Sequence, residues 1–156
     1  MTQRINGWQK AQHAFKALGG FGMYLSKSSL DQTLLHLVYY RVSQINGCAF
    51  CLDMHSKDLK ASGESEQRLH MVAAWREAPQ YTAREKAALA YAETLTRIAD
   101  SHLDDAVYEN ALTHFSEAEL IDLTIGIIAI NSYNRFNVAL PGEIGSYVPG
   151  QFAKTA

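Results

Sequence analysis

Ser43-Gln44-Ile45-Asn46-Gly47-Cys48-Ala49-Phe50-Cys51-Leu52-Asp53-Met54-His55 decides how the rest of the chain is read. It holds both cysteines of the 156-residue sequence, spaced C-x-x-C, with a histidine four residues after the second. On a helix, Cys48, Cys51 and His55 stand at i, i+3 and i+7 and share one face. Asn46-Gly47 is a break signal. The spacing therefore predicts a helix that opens at the cysteines, with Cys48 in its first turn. Free N–H groups and the helix dipole favour an anion there, in this case a thiolate. That is the setting of a reactive cysteine rather than an inert one.

Three readings of the pair compete. Two small apolar residues could be buried side by side with no chemistry. A zinc ion could take Cys48, Cys51 and His55 as ligands, but a closed site needs a fourth, and no second C-x-x-C or H-x-x-x-H exists to offer one. The third reading, a dithiol/disulfide couple, is preferred, and no metal is expected at the cysteines.

Composition narrows the class. A chain of this length is one domain by default, here 1–156, and 47% hydrophobic residues can build a core. A formal net charge of −2 with no basic cluster argues against nucleic acid. No apolar run reaches the roughly 18 residues of a membrane span, and the opening MTQRINGWQK has no apolar signal core. The expected compartment is the cytoplasm, where thiols stay reduced and a C-x-x-C is more often catalytic than structural. No glycine-rich phosphate loop is present, so no nucleotide cofactor is expected.

Prolines occur only at 79, 141 and 149, and nothing alternates at period two. The pattern predicts an all-α domain without a βαβ unit. The expected helices span 7–18 (Trp8, Ala11, Phe15 and Leu18 inward, stopped by Gly19-Gly20), 29 or 31–45, 48–61, 65–77 (Leu69, Val72, Ala73 and Trp75 inward), 83–100 (Ala87, Ala88, Tyr91, Leu95 and Ile98 inward), 104–114 and 116–138. Residues 21–28 are ambiguous, and the tail after Pro141 reads as irregular. Capping boxes are expected at Ser29–Gln32, Thr82–Glu85 and Ser116–Glu119.

If the helices before and after Asn46 fold back on each other, residues equidistant from the turn face one another. Ser43 then meets Cys48, Tyr40 meets Cys51, and His36 meets His55, which nominates His36 and Tyr40 as partners of the dithiol. The last helix carries Leu120, Ile121, Leu123, Ile125, Ile127, Ile128 and Ile130 on nearly every side, so it is either central or an oligomer seam. Asn131, Asn134 and Arg135 make a polar face at its end, read as structural hydrogen bonding in preference to substrate binding.

The run Arg41–His55, RVSQINGCAFCLDMH, resembles the core of the carboxymuconolactone decarboxylase superfamily in its AhpD-like alkylhydroperoxidase branch. Asn131-Ser132-Tyr133-Asn134-Arg135 is similar to a late N-x-x-N-R run of that branch. The resemblance implies a helical bundle, assembly into trimers or hexamers, and peroxide reduction through a Cys48–Cys51 disulfide cycle. It makes Cys51 the attacking thiol, Cys48 its resolving partner and His55 a proton relay, with an external dithiol as reductant. His36 stands where relatives commonly carry a glutamate, and Phe50 where the best-known AhpD has a histidine, so the relay departs from the pattern. Decarboxylases of the superfamily lack the cysteine pair. A redox-sensing oligomer without turnover, and decarboxylase-like chemistry, remain the other readings.

Overall fold

The computed structural model describes residues 4–152, and every regular element among them is helical. The first three residues of the opening stretch read above lie outside that range.

The first helix differs from expectation. α1 (Gly7–Lys10) starts at Asn6, whose side chain accepts from the Gln9 N–H, and the chain then breaks at Ala11. α2 (Gln12–Leu25) runs straight through Gly19-Gly20, which therefore stop nothing, and it absorbs the ambiguous segment up to Leu25. A glycine inside a helix costs about 1 kcal/mol but does not forbid it. Neither glycine takes the positive φ of a helix stop. Packing of α2 on the last helix, and a Trp8–Phe15 ring stack at 3.8 Å, carry the segment instead.

α3 (Gln32–Asn46) is capped by Asp31, which accepts from the Leu34 N–H at 2.7 Å. The expected Ser29–Gln32 box does not form, and the Gln32 amide donates to the carbonyls of Leu25 and Leu30. An ionised cap at Asp31 also complements the helix dipole, which serine cannot do. α4 (Ala49–Ala61) follows directly, then α5 (Glu66–Met71) and a 3-10 turn, Val72–Ala74. The tighter turn buries Leu69, Val72 and Trp75 but leaves Ala73 exposed, against expectation.

α6 (Ala83–Thr96) opens with the Thr82–Glu85 box and ends short of residue 100. Ile98 thus falls outside the helix and is exposed rather than inward. α7 (Asp105–Leu112) is capped by Asp104, and α8 (Glu117–Ala139) opens with the Ser116–Glu119 box. The tail after Pro141 holds no helix or strand as far as residue 152.

α3 is the hub, packed against α4, α6 and α8. One core cluster gathers Leu35, Val38, Val42, Ala88, Leu123 and Ile127 around the two cysteines. A second gathers Leu37, Leu59, Val72, Trp75 and Leu89 on the far side of α3. Each such large side chain, fully buried, contributes about 1.5–3 kcal/mol. α3 and α8 approach closely at Gly126, where a Cβ would meet Leu35 Cδ1 at 2.6 Å. Leu120, Leu123, Ile127 and Ile130 of α8 are buried, but Ile121 and Ile128 are 57% and 49% exposed. The helix is therefore covered around most of its circumference and leaves one exposed stripe through Ile121, Ile128 and Arg135. No helix among the described residues is long and apolar enough to cross a membrane.

A buried ion cluster pins α3 to α6. Glu93 Oε1 accepts from Arg41 Nε at 2.6 Å and Trp75 Nε1 at 3.0 Å, while Oε2 pairs with Arg76 Nη1 at 2.7 Å. Burial pushes the Glu93 carboxyl up, but the hydrogen bonds from Trp75, Arg41 and Arg76 outweigh it and hold the pKa below its ordinary value.

Candidate active site

The turn between α3 and α4 places the cysteines. Gly47 takes φ 65°, a left-handed conformation that glycine adopts without a Cβ penalty. The Cys48 N–H then returns to the Ser43 carbonyl at 3.1 Å, so the expected Ser43–Cys48 meeting occurs through the backbone. Asn46 Nδ2 ties the turn to α8, donating to Asn131 Oδ1 at 3.0 Å and Asn134 Oδ1 at 2.9 Å. Asn134 Nδ2 donates on to Ser43 Oγ at 3.0 Å. The polar end of α8 is thus structural hydrogen bonding in the case of Asn131 and Asn134. Arg135 is exposed and bonds back to Asn131.

Cys48 is the N-cap of α4 itself, one position before the first turn where it was expected. Its sulfur accepts from the Cys51 N–H at 3.4 Å. The Cys51 thiol also donates to it, and with the backbone N–H groups of Cys51 and Phe50 and the Asn134 amide this outweighs burial. The Cys48 pKa is lowered from 9.0 to about 7. Cys51 moves the other way, raised first by its bond to Cys48 and then by burial. Asn134 and Asn137 oppose that rise, and Asn137 Nδ2 lies 3.6 Å from Cys51 Sγ. Both thiols are free and buried, and Cys48 is the more acidic of the two.

His55 is 4% exposed, and neither ring nitrogen has a hydrogen-bond partner among the described residues. The i, i+4 spacing thus brings it to the cysteine face without a hydrogen bond to Cys51. His36 does face His55, with ring centroids 5.5 Å apart. Tyr40 does not face Cys51 in any ring or hydrogen-bond contact and packs on the second core cluster. Tyr39 is the tyrosine at the site, its ring 5.1 Å from His55. The facing rule placed the helix pair correctly, and the rotation of α3 moved the tyrosine by one residue.

Burial, reinforced by His36 beside it, holds the His55 pKa well below the ordinary imidazole value. Burial also lowers His36, against the pull of Asp58. His36 Nδ1 stands 3.8 Å from Asp58 Oδ2, and Tyr147 Oη donates to Asp58 Oδ1 at 2.7 Å. A buried polar atom left unpaired costs about 1–3 kcal/mol, so this cluster is held against a local penalty.

The model of the carboxymuconolactone decarboxylase family matches residues 8–94, more than half of the chain. The chain belongs to the carboxymuconolactone decarboxylase family. Within it, this member is 38% identical over 146 residues to YdfG of Bacillus subtilis (strain 168), an uncharacterized protein, covering 94% of this chain and 99% of that one. A crystal structure from Agrobacterium tumefaciens, of a protein of unknown function that carries the AhpD antioxidant-defence label, superposes with a TM-score of 0.88. It is 38% identical and covers 94% of this chain and 100% of the other. The debrominase Bmp8 shares the fold at a TM-score of 0.77 and 21% identity, over 88% of this chain and 74% of its own. The fold is that of the AhpD-like branch.

Sequence reasoning missed Asn137, Asp58, Tyr147 and Trp8. Asn131, Asn134 and Asn137 repeat at i, i+3 and i+6, a signal that was legible. Asp58 stands one turn after His55. Trp8 was read only as an apolar residue, yet its Nε1 donates to Asn137 Oδ1 at 3.1 Å. Indole N–H is donor-only, so it turns the Asn137 NH2 toward Cys51. Tyr147 carried no signal, because only the packing of the tail brings it to α4.

Proposed function

We propose that the chain is a thiol-dependent peroxidase that reduces organic or hydrogen peroxides through Cys48 and Cys51. The observation that carries this reading is the free Cys48-x-x-Cys51 pair at the N-terminus of α4, with the Cys51 N–H on the Cys48 sulfur. A Cys48 pKa lowered to about 7 provides a thiolate that can take the Cys51 proton, and the thiolate is the nucleophile.

The family resemblance makes Cys51 the attacking thiol, although Cys48 is the more acidic. Cys51 hands its proton to the Cys48 thiolate and attacks the peroxide oxygen, so the S–O bond forms as the O–O bond breaks. The sulfur becomes a sulfenic acid, and the departing alkoxide takes a proton from solvent by way of His36 and His55. The Cys48 sulfur then attacks Cys51, the disulfide forms, and the sulfenic oxygen leaves as water with the Cys48 proton. An external dithiol restores both thiols by exchange. The amide of Asn137 and that of Asn134 stabilise charge on Cys51. No metal, flavin or nucleotide takes part in these steps.

The exposed Ile121 and Ile128 of α8 support self-association, and the family resemblance supplies the trimer or multiple of three. Light scattering that reports a monomer at micromolar concentration would sink that assembly. The proposed compartment is the cytoplasm, where a dithiol reductant is at hand.

The burial of both sulfurs favours a second reading, a redox-sensing oligomer that forms the disulfide without turnover. A steady-state assay with cumene hydroperoxide and dithiothreitol separates the two. Continuous peroxide loss above the protein-free rate is expected, and a single stoichiometric burst would favour the sensor.

A further inference from the structure

We propose that His36, His55 and Asp58 form a site for a divalent transition-metal ion of the zinc class, exchangeable and separate from the two thiols. One ligand atom from each of the three side chains lies within 4.8 Å of the other two, and neither sulfur belongs to the group. His55 and Asp58 sit one turn apart on α4, and His36 faces them from α3.

Three buried ring nitrogens converge there without a hydrogen bond from any described residue, namely both of His55 and Nδ1 of His36. Imidazole and carboxylate together suit zinc, cobalt or nickel better than magnesium or calcium, which prefer all-oxygen shells. Burial keeps both histidines in the neutral form that ligates.

Ligand atoms about 2.0–2.1 Å from a tetrahedral ion stand roughly 3.3 Å from one another. The widest separation in the cluster must therefore close by up to about 1.5 Å. His55 is fixed by burial, but the His36 and Asp58 side chains are 32% and 16% exposed and can turn toward it. The same exposure gives the ion its way in. Tyr147 Oη holds Asp58 Oδ1 and leaves Oδ2 directed at His36. A bonded outer partner of this kind orients a ligating carboxylate. Three protein ligands leave a fourth position for water.

A bound ion would occupy a nitrogen of His55 and so silence the proton path. That consequence rests on the peroxidase reading, whereas the binding does not.

The test uses the full chain with Cys48→Ser and Cys51→Ser together, so that no thiolate can hold metal, alongside the native protein. Cobalt(II) chloride is titrated and followed by absorption, and zinc chloride by calorimetry. One equivalent of cobalt per chain is expected in both proteins, with the visible bands of a tetrahedral ion and no thiolate charge-transfer band in the double variant. Magnesium should not displace it. Adding His36→Ala or Asp58→Asn, both at partly exposed positions, should abolish binding while the helical circular dichroism is kept. Tyr147→Phe should weaken it about 10-fold. No cobalt bound by the double variant, or binding that survives both His36→Ala and Asp58→Asn, would overturn the site. Failure of the native protein to consume peroxide bears only on the reading above it.

Discussion

Two polar clusters are built against α3 on opposite terms. At Arg41, the Glu93 carboxylate is buried with both oxygens bonded, to two guanidinium groups and an indole N–H. At His36, the His55 ring is buried just as deeply and hydrogen-bonds to none of the described residues. The first arrangement satisfies every charge it removes from water and links α3, α6 and the turn before it. The second leaves polar atoms unpaired one turn from a cysteine pair. Buried polar groups are normally hydrogen-bonded, so the two clusters differ in kind: one is fully paired, and the other holds open nitrogens that, on the proposed function, serve proton transfer.

The sharpest break between the two should come from the thiols. Cys51→Ser is expected to abolish peroxide consumption while thermal unfolding stays within a few degrees of native. Activity that survives in that variant would remove the chemistry from the histidine side of the comparison. Glu93→Ala should act in the reverse sense. It strands the largely buried Arg41 and the Trp75 N–H, while the exposed Arg76 returns to water, and should cost about 3 kcal/mol in urea unfolding, without changing which thiols oxidise. Because the folded Glu93 pKa is depressed, its contribution is fully present above the unfolded value near 4.5 and is lost as pH falls through the folded one. Glu93→Gln should therefore flatten the acid limb of the stability curve.

His55→Leu sharpens the contrast further. Replacing an unpaired buried imidazole by an apolar side chain should leave stability unchanged or raise it by about 1–3 kcal/mol, while peroxide reduction slows. A stability loss as large as that of Glu93→Ala would put His55 among the structural groups. The smallest expected effect is a titration. The rate of Cys48 alkylation by iodoacetamide should rise with a midpoint near pH 7. In Cys51→Ala the midpoint should move upward, because the first contributor to the lowered pKa is gone. An unchanged midpoint would mean that the helix N-terminus, not the neighbouring thiol, sets the acidity.

Much of this was legible in the sequence because it depends on local chemistry. Thr82–Glu85 and Ser116–Glu119 marked helix starts by side chains three residues apart. Asn46-Gly47 marked the reversal, and the fold-back rule brought His36 to His55. What depended on how far a helix continues was less legible. Gly19-Gly20 looked like a stop and is not one, since tertiary packing outweighs about 1 kcal/mol of propensity at each. Tyr39 rather than Tyr40 reaches His55, a matter of helix rotation that spacing alone leaves open. Trp8, Asn137 and Tyr147 reach the site from segments more than 40 residues away in the chain from the α4 groups they meet, directly or through Asn137, and no local pattern encodes such a meeting.

The account stands or falls on the two thiols acting as one redox unit. The most direct measurement adds one equivalent of cumene hydroperoxide to the reduced native protein and reads the intact mass, the free thiols and the linked peptides. The account predicts that both thiols disappear together, that the mass falls by two hydrogen atoms, and that Cys48 and Cys51 are found joined. Peroxide left unconsumed with both thiols still free, or a stable oxygen adduct on one cysteine beside a free partner, would contradict it.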